Sequence, residues 1–254
     1  MSLYEIYFSP TGGTKKVSDI LAATWDTSSI SVDLVTHPEA VSTLSLCADD
    51  ICIIAVPSYG GRVPSIALEH LRKLHANGAK AILVAVYGNR HIDDTLMELY
   101  DTLREVGFTC IAGIEAVAEH SLMRQFASGR PDAEDVAELN DFAAKIKEAL
   151  KQGHAGQELQ LPGSHTYRVY NGVPFKPLVS ENCGGCGLCA TQCPAHAIDK
   201  ENPKLTNPDL CISCGHCISI CPNRARHFDE KLTSAVAQKM EEACSGRKNN
   251  QIYL

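Results

Sequence analysis

The chain has 254 residues, of which 44% are hydrophobic and 21% charged, with 12 cysteines and a formal net charge of −7. These contents are typical of a soluble globular protein, and the length allows one or two domains. The negative charge argues against nucleic acid or an anionic membrane surface as a partner. Because no apolar segment is long enough to span a bilayer and the N-terminus lacks a secretory pattern, we expect no membrane insertion.

Strand-like and helix-like segments alternate through the first two thirds of the chain. Five apolar segments are predicted to be strands, namely 3–8, 30–35, 51–56, 81–87 and 110–117. Helical patterns occupy residues 13–24, a segment after residue 64, 93–106 and 132–151. This alternation predicts a doubly wound α/β domain with a five-stranded parallel sheet, to which we assign residues 1–152. Such sheets bind ligands at the carboxyl ends of their strands.

The loop after the first predicted strand carries an anion-binding pattern. It contains Ser9, Thr11, Gly12, Gly13 and Thr14 and leads directly into a helix. Hydroxyl groups, backbone N–H groups and the helix dipole at such a position favour a phosphate group. The pattern matches neither the P-loop nor Gly-x-Gly-x-x-Gly, which argues against an NTPase and against a nicotinamide site. The alternative is a turn that only caps the helix.

Two further loops follow the third and fourth predicted strands at the same edge of the sheet. Their candidate binding residues are Pro57, Ser58, Tyr59 and Gly60 in one loop and Tyr87, Gly88, Asn89 and Arg90 in the other. Aromatic side chains there could stack on a flat ring, and the glycines allow close approach of the backbone. Arg62 and Arg90 are either functional cations or surface residues, whereas Glu98, Asp101 and Glu105 are predicted to form a solvated helix face.

These loops resemble those of the flavodoxin family, whose first loop has a Thr/Ser-x-Thr-Gly-x-Thr pattern around the phosphate of FMN. The resemblance implies a flavodoxin-like fold and FMN binding. Ser9, Thr11 and Thr14 would then be side-chain donors to the phosphate, and Gly12 and Gly13 would be backbone donors. The later two loops would hold the isoalloxazine ring, with the tyrosine of the 57–60 loop as the first choice for stacking. The double glycine and the absence of a loop tryptophan are departures from the family.

The most specific pattern is a cysteine repeat within residues 181–228. Two copies of Cys-x2-Cys-x2-Cys-x3-Cys-Pro, 28 residues apart, contain Cys183, Cys186, Cys189 and Cys193, then Cys211, Cys214, Cys217 and Cys221. Eight thiolates at this spacing predict two [4Fe–4S] clusters, with the fourth cysteine of each copy binding the other cluster. Cluster one then takes Cys221, and cluster two takes Cys193. Zinc is the alternative, but zinc sites use paired knuckles without the third cysteine and the Cys-Pro.

The cysteine segment resembles bacterial-type two-cluster ferredoxins, which implies a small α+β domain. Before it, residues 153–180 are rich in proline, glycine and aromatic residues, which favours an extended linker attached to the domains by its aromatics. After it, Leu232, Val236, Met240 and Ala243 mark a helix within a C-terminal segment, 229–254, that we expect to pack on a domain.

The order of these parts resembles the fused flavodoxin–ferredoxin proteins of anaerobic bacteria and archaea. The resemblance implies an electron-transfer iron–sulfur flavoprotein that relays single electrons between the clusters and FMN, with redox proteins as donor and acceptor. One alternative is a ferredoxin-fed, FMN-dependent reductase of a small acceptor such as a quinone or nitro compound. Another is a ferredoxin with an FMN-free docking or redox-sensing domain. Oxygen-labile clusters favour the cytoplasm of an organism that lives with little oxygen. The sequence leaves the oligomeric state open, a homodimer included.

Overall fold

A computed structural model describes residues 1–153 and 158–254 of the chain. Within these residues the strands are β1 Leu3–Tyr7, β2 Ser29–Asp33, β3 Ile51–Pro57, β4 Lys80–Tyr87, β5 Thr109–Val117, β6 Leu178–Val179, β7 Arg226–His227 and β8 Gln251–Tyr253. The helices are α1 Gly13–Ala22, α2 Ser65–Leu71, α3 Thr95–Glu105, α4 Ala133–Lys151, α5 Leu188–Thr191, α6 His216–Ser219 and α7 Glu230–Cys244. A 3₁₀ turn occupies Pro38–Thr43.

The main sheet has the strand order β2-β1-β3-β4-β5-β8. Strands β1 to β5 are all parallel, and their order, 2-1-3-4-5, is that of flavodoxin-like doubly wound sheets. The predicted fold class and its five parallel strands are therefore confirmed. The sheet also has a sixth strand, β8, which pairs antiparallel with β5. This strand was not predicted from the sequence, because its three residues carry too little periodicity.

Helices cover both faces of the parallel sheet, which explains the continuous apolar runs of its central strands. Ile54 belongs to a core cluster on one face, together with Leu99 of α3. Its neighbour Ile53 points to the opposite face and joins a cluster with Leu139 of α4. Successive side chains of a strand alternate between faces, so both must be apolar when both are buried. The loops at the carboxyl edge are thus carried by a rigid layer.

The cysteine-rich region contains α5, α6 and a two-stranded pairing of β6 with β7. Its 28-residue sequence repeat is also a structural repeat. Gly187 and Gly215 both have φ of 76° and precede α5 and α6, respectively. The fourth cysteine of each copy accepts a backbone N–H from the alanine four residues later, at 3.4 and 3.3 Å. The region is therefore a duplicated half-module, as its sequence indicates.

The segments before and after this region both contact the N-terminal domain. The predicted linker, 153–180, includes residues 154–157, which lie outside the described residues; from residue 158 onward it packs Leu159 into the core of the sheet domain. Helix α7 packs on the loop that follows β5, where Ala237 and Cys244 meet Met123 and Phe126. In residues 1–153 and 158–254, no helix combines the length and apolarity needed to cross a membrane.

Candidate cofactor and cluster sites

A cavity of about 390 Å³ lies at the carboxyl ends of β3 and β4. Its volume is within the range of about 300–1,000 Å³ that small-molecule sites usually have. Of the predicted binding residues, it is lined by Ser58, Tyr59, Gly60, Tyr87, Gly88 and Arg90. A smaller cavity of about 60 Å³ shares several of these residues and is also lined by Thr11, Gly13, Thr14 and Pro57. The fold therefore brings the three predicted loops together.

The first loop enters α1 with an exposed set of donors. Gly12 has φ of 91° and, as a glycine, has no side chain that could cap the helix. The N–H groups of Gly13 and Thr14 in the first turn have no acceptor within the helix and are available to an anion. Ser9 accepts the N–H of Lys15 at 2.8 Å through its hydroxyl oxygen. Ser9 and Gly12 are not among the lining residues of the two cavities, so they shape the loop, while Thr11 and Thr14 face the cavity.

The loop after β3 is a tight turn covered by the linker. Tyr59 and Arg62 exchange two backbone hydrogen bonds, of 2.9 and 3.2 Å, around Gly60 and Gly61. A Cβ atom on Gly60 would collide with the ring of Tyr170. Only glycine therefore allows this linker tyrosine to lie over the loop and line the cavity. Tyr170 was not predicted from the sequence, because it lies more than 100 residues from the loop that it covers.

His120, which lines both cavities, is a second residue that the sequence analysis missed. Its Nδ1 accepts the N–H groups of Leu122 and Met123 at 3.2 Å each. Burial lowers the pKa of His120 to about 4, so the ring is neutral near pH 7 and carries its proton on Nε2. A Cβ atom on Gly88 would lie 2.6 Å from the imidazole. The glycine predicted to approach a cofactor thus also makes room for this ring.

Asn89 has a different role from the predicted one. It is buried with φ of 66°, and its amide nitrogen donates to the carbonyl oxygens of Cys244 and Gly246 at 2.6 and 2.7 Å. Its amide oxygen accepts the N–H of Lys248 at 3.3 Å. In contrast to the expectation that it contacts a cofactor, the side chain holds the C-terminal segment against the sheet domain.

The two arginines near the loops are both engaged in ion pairs. Arg90 lines the larger cavity and pairs with Asp93, which also pairs with Arg168 of the linker. Arg62 donates through Nε to Glu98 at 2.9 Å. Glu98 is only 3% exposed, so the prediction that it belongs to a solvated face is wrong. A buried carboxylate requires a partner, and the arginine supplies it.

The cysteines are grouped in two sets of four. A small cavity is lined by the predicted ligands of cluster one, Cys183, Cys186, Cys189 and Cys221. In the other set, burial raises the pKa of the Cys214 thiol to about 12, and the nearby thiols of Cys217, Cys193 and Cys211 add to this. The crossing fourth cysteine thus lies with the predicted three in both sets. The assignment of ligands itself stays a prediction.

The donor chemistry fits iron–sulfur cubes. Within the two described ranges, no three His, Cys, Asp or Glu side chains are close enough to hold one metal ion. Sulfurs that bind different corners of a cube lie farther apart than the ligands of a single ion. Backbone N–H groups directed at cysteine sulfur, as seen at the fourth cysteine of each copy, are typical of such centres.

The loop of the second cysteine copy packs directly on the anion-binding loop. His216 donates through Nδ1 to the carbonyl oxygen of Pro10 at 2.8 Å, and the hydroxyl of Ser219 donates to the same oxygen at 3.2 Å. A Cβ atom on Gly215 would lie 3.4 Å from the Thr11 methyl group. Nε2 of the histidine is buried and has no partner among the described residues. The two regions therefore meet at the edge where the cavities open.

Comparison with known proteins assigns the cysteine-rich region. Residues 182–226 match the family model of the 4Fe-4S dicluster domain. The trichloroethene reductive dehalogenase of Dehalococcoides mccartyi is 32% identical over a 68-residue alignment. That alignment covers 20% of this chain and 12% of that protein, so the chain spans a small part of this relative.

Solved flavodoxin structures are similar to more than half of the chain. A flavodoxin of Streptococcus pneumoniae is 21% identical, with a TM-score of 0.41, and 58% of this chain and 99% of that chain are covered. The Megasphaera elsdenii flavodoxin is 20% identical, with a TM-score of 0.40 and coverage of 56% and 98%. Flavodoxin 2 of Bacillus cereus is 16% identical, with a TM-score of 0.44 and coverage of 58% and 99%.

The order of the parallel strands, rather than these similarities, establishes the fold of the N-terminal domain. The chain thus joins a flavodoxin-like domain to a 4Fe-4S dicluster domain, the combination that its sequence resembles. The matched segment, residues 182–226, thus has the cysteine pattern of a domain that holds two [4Fe–4S] clusters.

Proposed function

We propose that this chain is an iron–sulfur flavoprotein that relays single electrons between two [4Fe–4S] clusters and FMN. FMN exchanges electrons singly or in pairs, whereas each cluster exchanges one at a time. The proposal divides the chain into an FMN domain (1–152), a linker (153–180), a cluster domain (181–228) and a C-terminal segment (229–254). Other redox proteins are the proposed donor and acceptor.

The observation that carries this proposal is the contact between the cluster-two loop and the large cavity. Ile212 and Ser213 line that cavity and lie between two predicted ligands, Cys211 and Cys214. Because electron transfer slows steeply with distance, cluster two is the proposed neighbour of the flavin. Cluster one then lies farther out, where Cys186 is exposed and an external partner can approach.

The residues that would hold FMN follow from the lining of the cavities. Thr11, Thr14 and the first-turn N–H groups of α1 are the proposed phosphate donors. Tyr59 and Tyr170 line the larger cavity and are the proposed aromatic contacts of the ring. Covalent linkage of the two domains raises the effective concentration of one site at the other, so internal transfer need not await a collision.

A reductase of a small acceptor is the second candidate. The larger cavity extends beyond the loops to the apolar side chains of Met123, Val236 and Met240, and to His91 and Arg168. Such a wall favours a small, partly apolar acceptor such as a quinone. Steady-state turnover of menadione with a reduced ferredoxin as the electron source distinguishes the two candidates, since a carrier without a substrate site reduces it only slowly.

The decisive test is the cofactor content and internal reduction of the anaerobically purified protein. We expect about one FMN with about eight iron and eight sulfide, and loss of about four iron in Cys186→Ser. In that variant, slower reduction of FMN by an external one-electron donor would support the relay. Cys47→Ser is the matched control, because Cys47 is exposed and outside the repeat. Eight iron without flavin, even after FMN is added, would contradict the proposal and favour an FMN-free docking or sensing domain.

A further inference from the structure

Arg226 is a buried arginine that contacts a cysteine of the first copy of the repeat. It is 3% exposed, and its Nε donates to the sulfur of Cys189 at 3.2 Å. The rest of the guanidinium donates to the hydroxyl of Thr206 at 3.1 Å and to the carbonyl oxygen of Pro203. Among the residues that the structure describes, no Asp or Glu lies within the 4.0 Å ion-pair distance of it. The nearest source of negative charge is the cysteine sulfur.

A buried and unpaired guanidinium is strongly destabilising unless negative charge lies beside it. Arg226 lines the same small cavity as the four predicted ligands of cluster one. An iron–sulfur cube held by four thiolates carries net negative charge, and this charge increases on reduction. The guanidinium is therefore placed to compensate a cluster rather than a side chain.

The duplicated module has no equivalent cation at cluster two. Shifted by 28 residues, Arg226 corresponds to Ile198 and Cys189 corresponds to Cys217. Ile198 is 4% exposed and packs against Cys217 in an apolar cluster. The same position of the repeat thus has a permanent cation at one cube and a hydrocarbon side chain at the other.

We propose that Arg226 makes the two clusters electronically inequivalent by raising the reduction potential of cluster one above that of cluster two. The positive charge and the N–H···S hydrogen bond both favour the reduced cube, which gains one electron and one unit of negative charge. The first electron from a one-electron donor therefore resides on cluster one. The inference rests on the proposed cluster ligation and is independent of FMN.

Positive charge also acts on cluster two, from Arg226 through space and from Lys176, but it does not cancel the difference in reduction potential between the clusters. Cys217 packs near Cys189, whose sulfur accepts the Arg226 hydrogen bond, so cluster two also experiences the charge of Arg226 through space. Lys176 donates to the carbonyl oxygen of Cys211 at 2.6 Å, but its side chain is partly exposed and screened by water. Direct hydrogen bonding of a buried cation to sulfur belongs to cluster one.

The test is a redox titration of the anaerobic holoprotein with dithionite, followed by electron paramagnetic resonance of the reduced clusters. In the wild type we expect two midpoint potentials that are at least about 59 mV apart. For one-electron couples this separation is a tenfold difference in the equilibrium for electron occupancy. Arg226→Met should lower the higher midpoint and bring the two together with iron content unchanged. Arg226→Lys should retain part of the separation, and Ile198→Met, the matched control at the equivalent position, should leave both midpoints in place.

The outcomes are distinct from those that test the relay. Coincident midpoints in the wild type, or a shift of both midpoints by the same amount in Arg226→Met, would overturn the inference. If Arg226→Met loses iron, the inference is tested by the separation of the two wild-type midpoint potentials and by the titration of Arg226→Lys. A wild-type protein that binds no clusters would instead refute the ligation on which the proposed function depends.

Discussion

His120 illustrates how a single residue can acquire its properties from packing alone. Its imidazole is enclosed beside Phe126, with ring centroids 6.2 Å apart, and its Nδ1 is occupied by two backbone N–H groups. Desolvation disfavours the charged ring, which lowers its pKa to about 4 from the ordinary 6.5. Nothing in the local sequence distinguishes it from His91, whose side chain is 64% exposed.

This depressed pKa predicts a pH-dependent contribution to stability. The unfolded chain binds the proton more readily, so the contribution is complete above pH 6.5 and is lost as the pH falls toward 4. Between about pH 7.5 and pH 5, the wild type should lose about 2 kcal/mol of unfolding free energy that His120→Gln does not lose. Anaerobic urea unfolding at several pH values measures this difference. His91→Gln is the control, and an identical pH slope for His120→Gln and the wild type would contradict the prediction.

Helix α3 is an element whose polar face has an environment set by the segments packed against it. Glu98, Asp101 and Glu105 share one face by sequence spacing, and a solvated face was the expectation. Glu98 is instead covered by Arg62 of the loop after β3. The linker covers Asp101, to which Tyr167 donates and from which His165 lies 2.8 Å. Helical periodicity identifies a polar face, but it does not show whether water or another segment lies against it.

We therefore expect very different effects from two substitutions on this one face. Glu98→Ala removes a buried carboxylate from Arg62 and from the N–H of Val63, and should lower the free energy of unfolding by about 3 kcal/mol. Glu105→Ala is the matched control, since Glu105 is exposed, and should change it by less than about 0.5 kcal/mol. Anaerobic denaturant titrations of both variants measure the two effects. Equal losses of unfolding free energy would contradict the pairing of a buried Glu98 with Arg62.

At the scale of the whole molecule, the C-terminal segment returns to the N-terminal domain. After the cluster domain, α7 and β8 return to the flavodoxin-like sheet, where Asn250 accepts the N–H of Val117 at 2.8 Å. Its amide nitrogen donates to Asp135 at 2.9 Å. The cluster domain is thus held to the sheet domain by the linker on one side and the C-terminal segment on the other. This double attachment favours a fixed distance between the cluster-two loop and the cavity.

Substitution of Asn250 should weaken the attachment of the C-terminal segment to the sheet domain. Asn250 is 5% exposed, so Asn250→Ala leaves the buried N–H of Val117 without its acceptor and removes one of several donors to the Asp135 carboxylate. We expect a loss of about 1–3 kcal/mol in unfolding free energy and faster proteolysis of the C-terminal segment. The adjacent Asn249 is exposed, and Asn249→Ala should have little effect. Equal protease resistance in the two variants would contradict the proposed closure.

Much of the fold and part of the candidate site could be predicted from local patterns. The apolar runs of β3 and β4 and the spacing of the intervening helices are sufficient for a parallel sheet, because strands buried on both faces must be apolar throughout. Strand β8 could not be predicted in this way. Its pairing with β5 depends on a return of the chain across more than 130 residues, and three residues have no detectable period.

The sequence alone determined the features that depend on spacing: the two cysteine quartets, the loop of hydroxyls and glycines before α1, and the alternation of strands and helices. Their chemistry is contained within a few consecutive residues. Only the tertiary structure decided that Tyr170 and His120 line the cavity, that Asn89 holds the C-terminal segment, and that Arg226 is buried against the sulfur of Cys189. Burial, pairing and charge at those residues arise from the packing of distant segments, and local sequence does not record that packing.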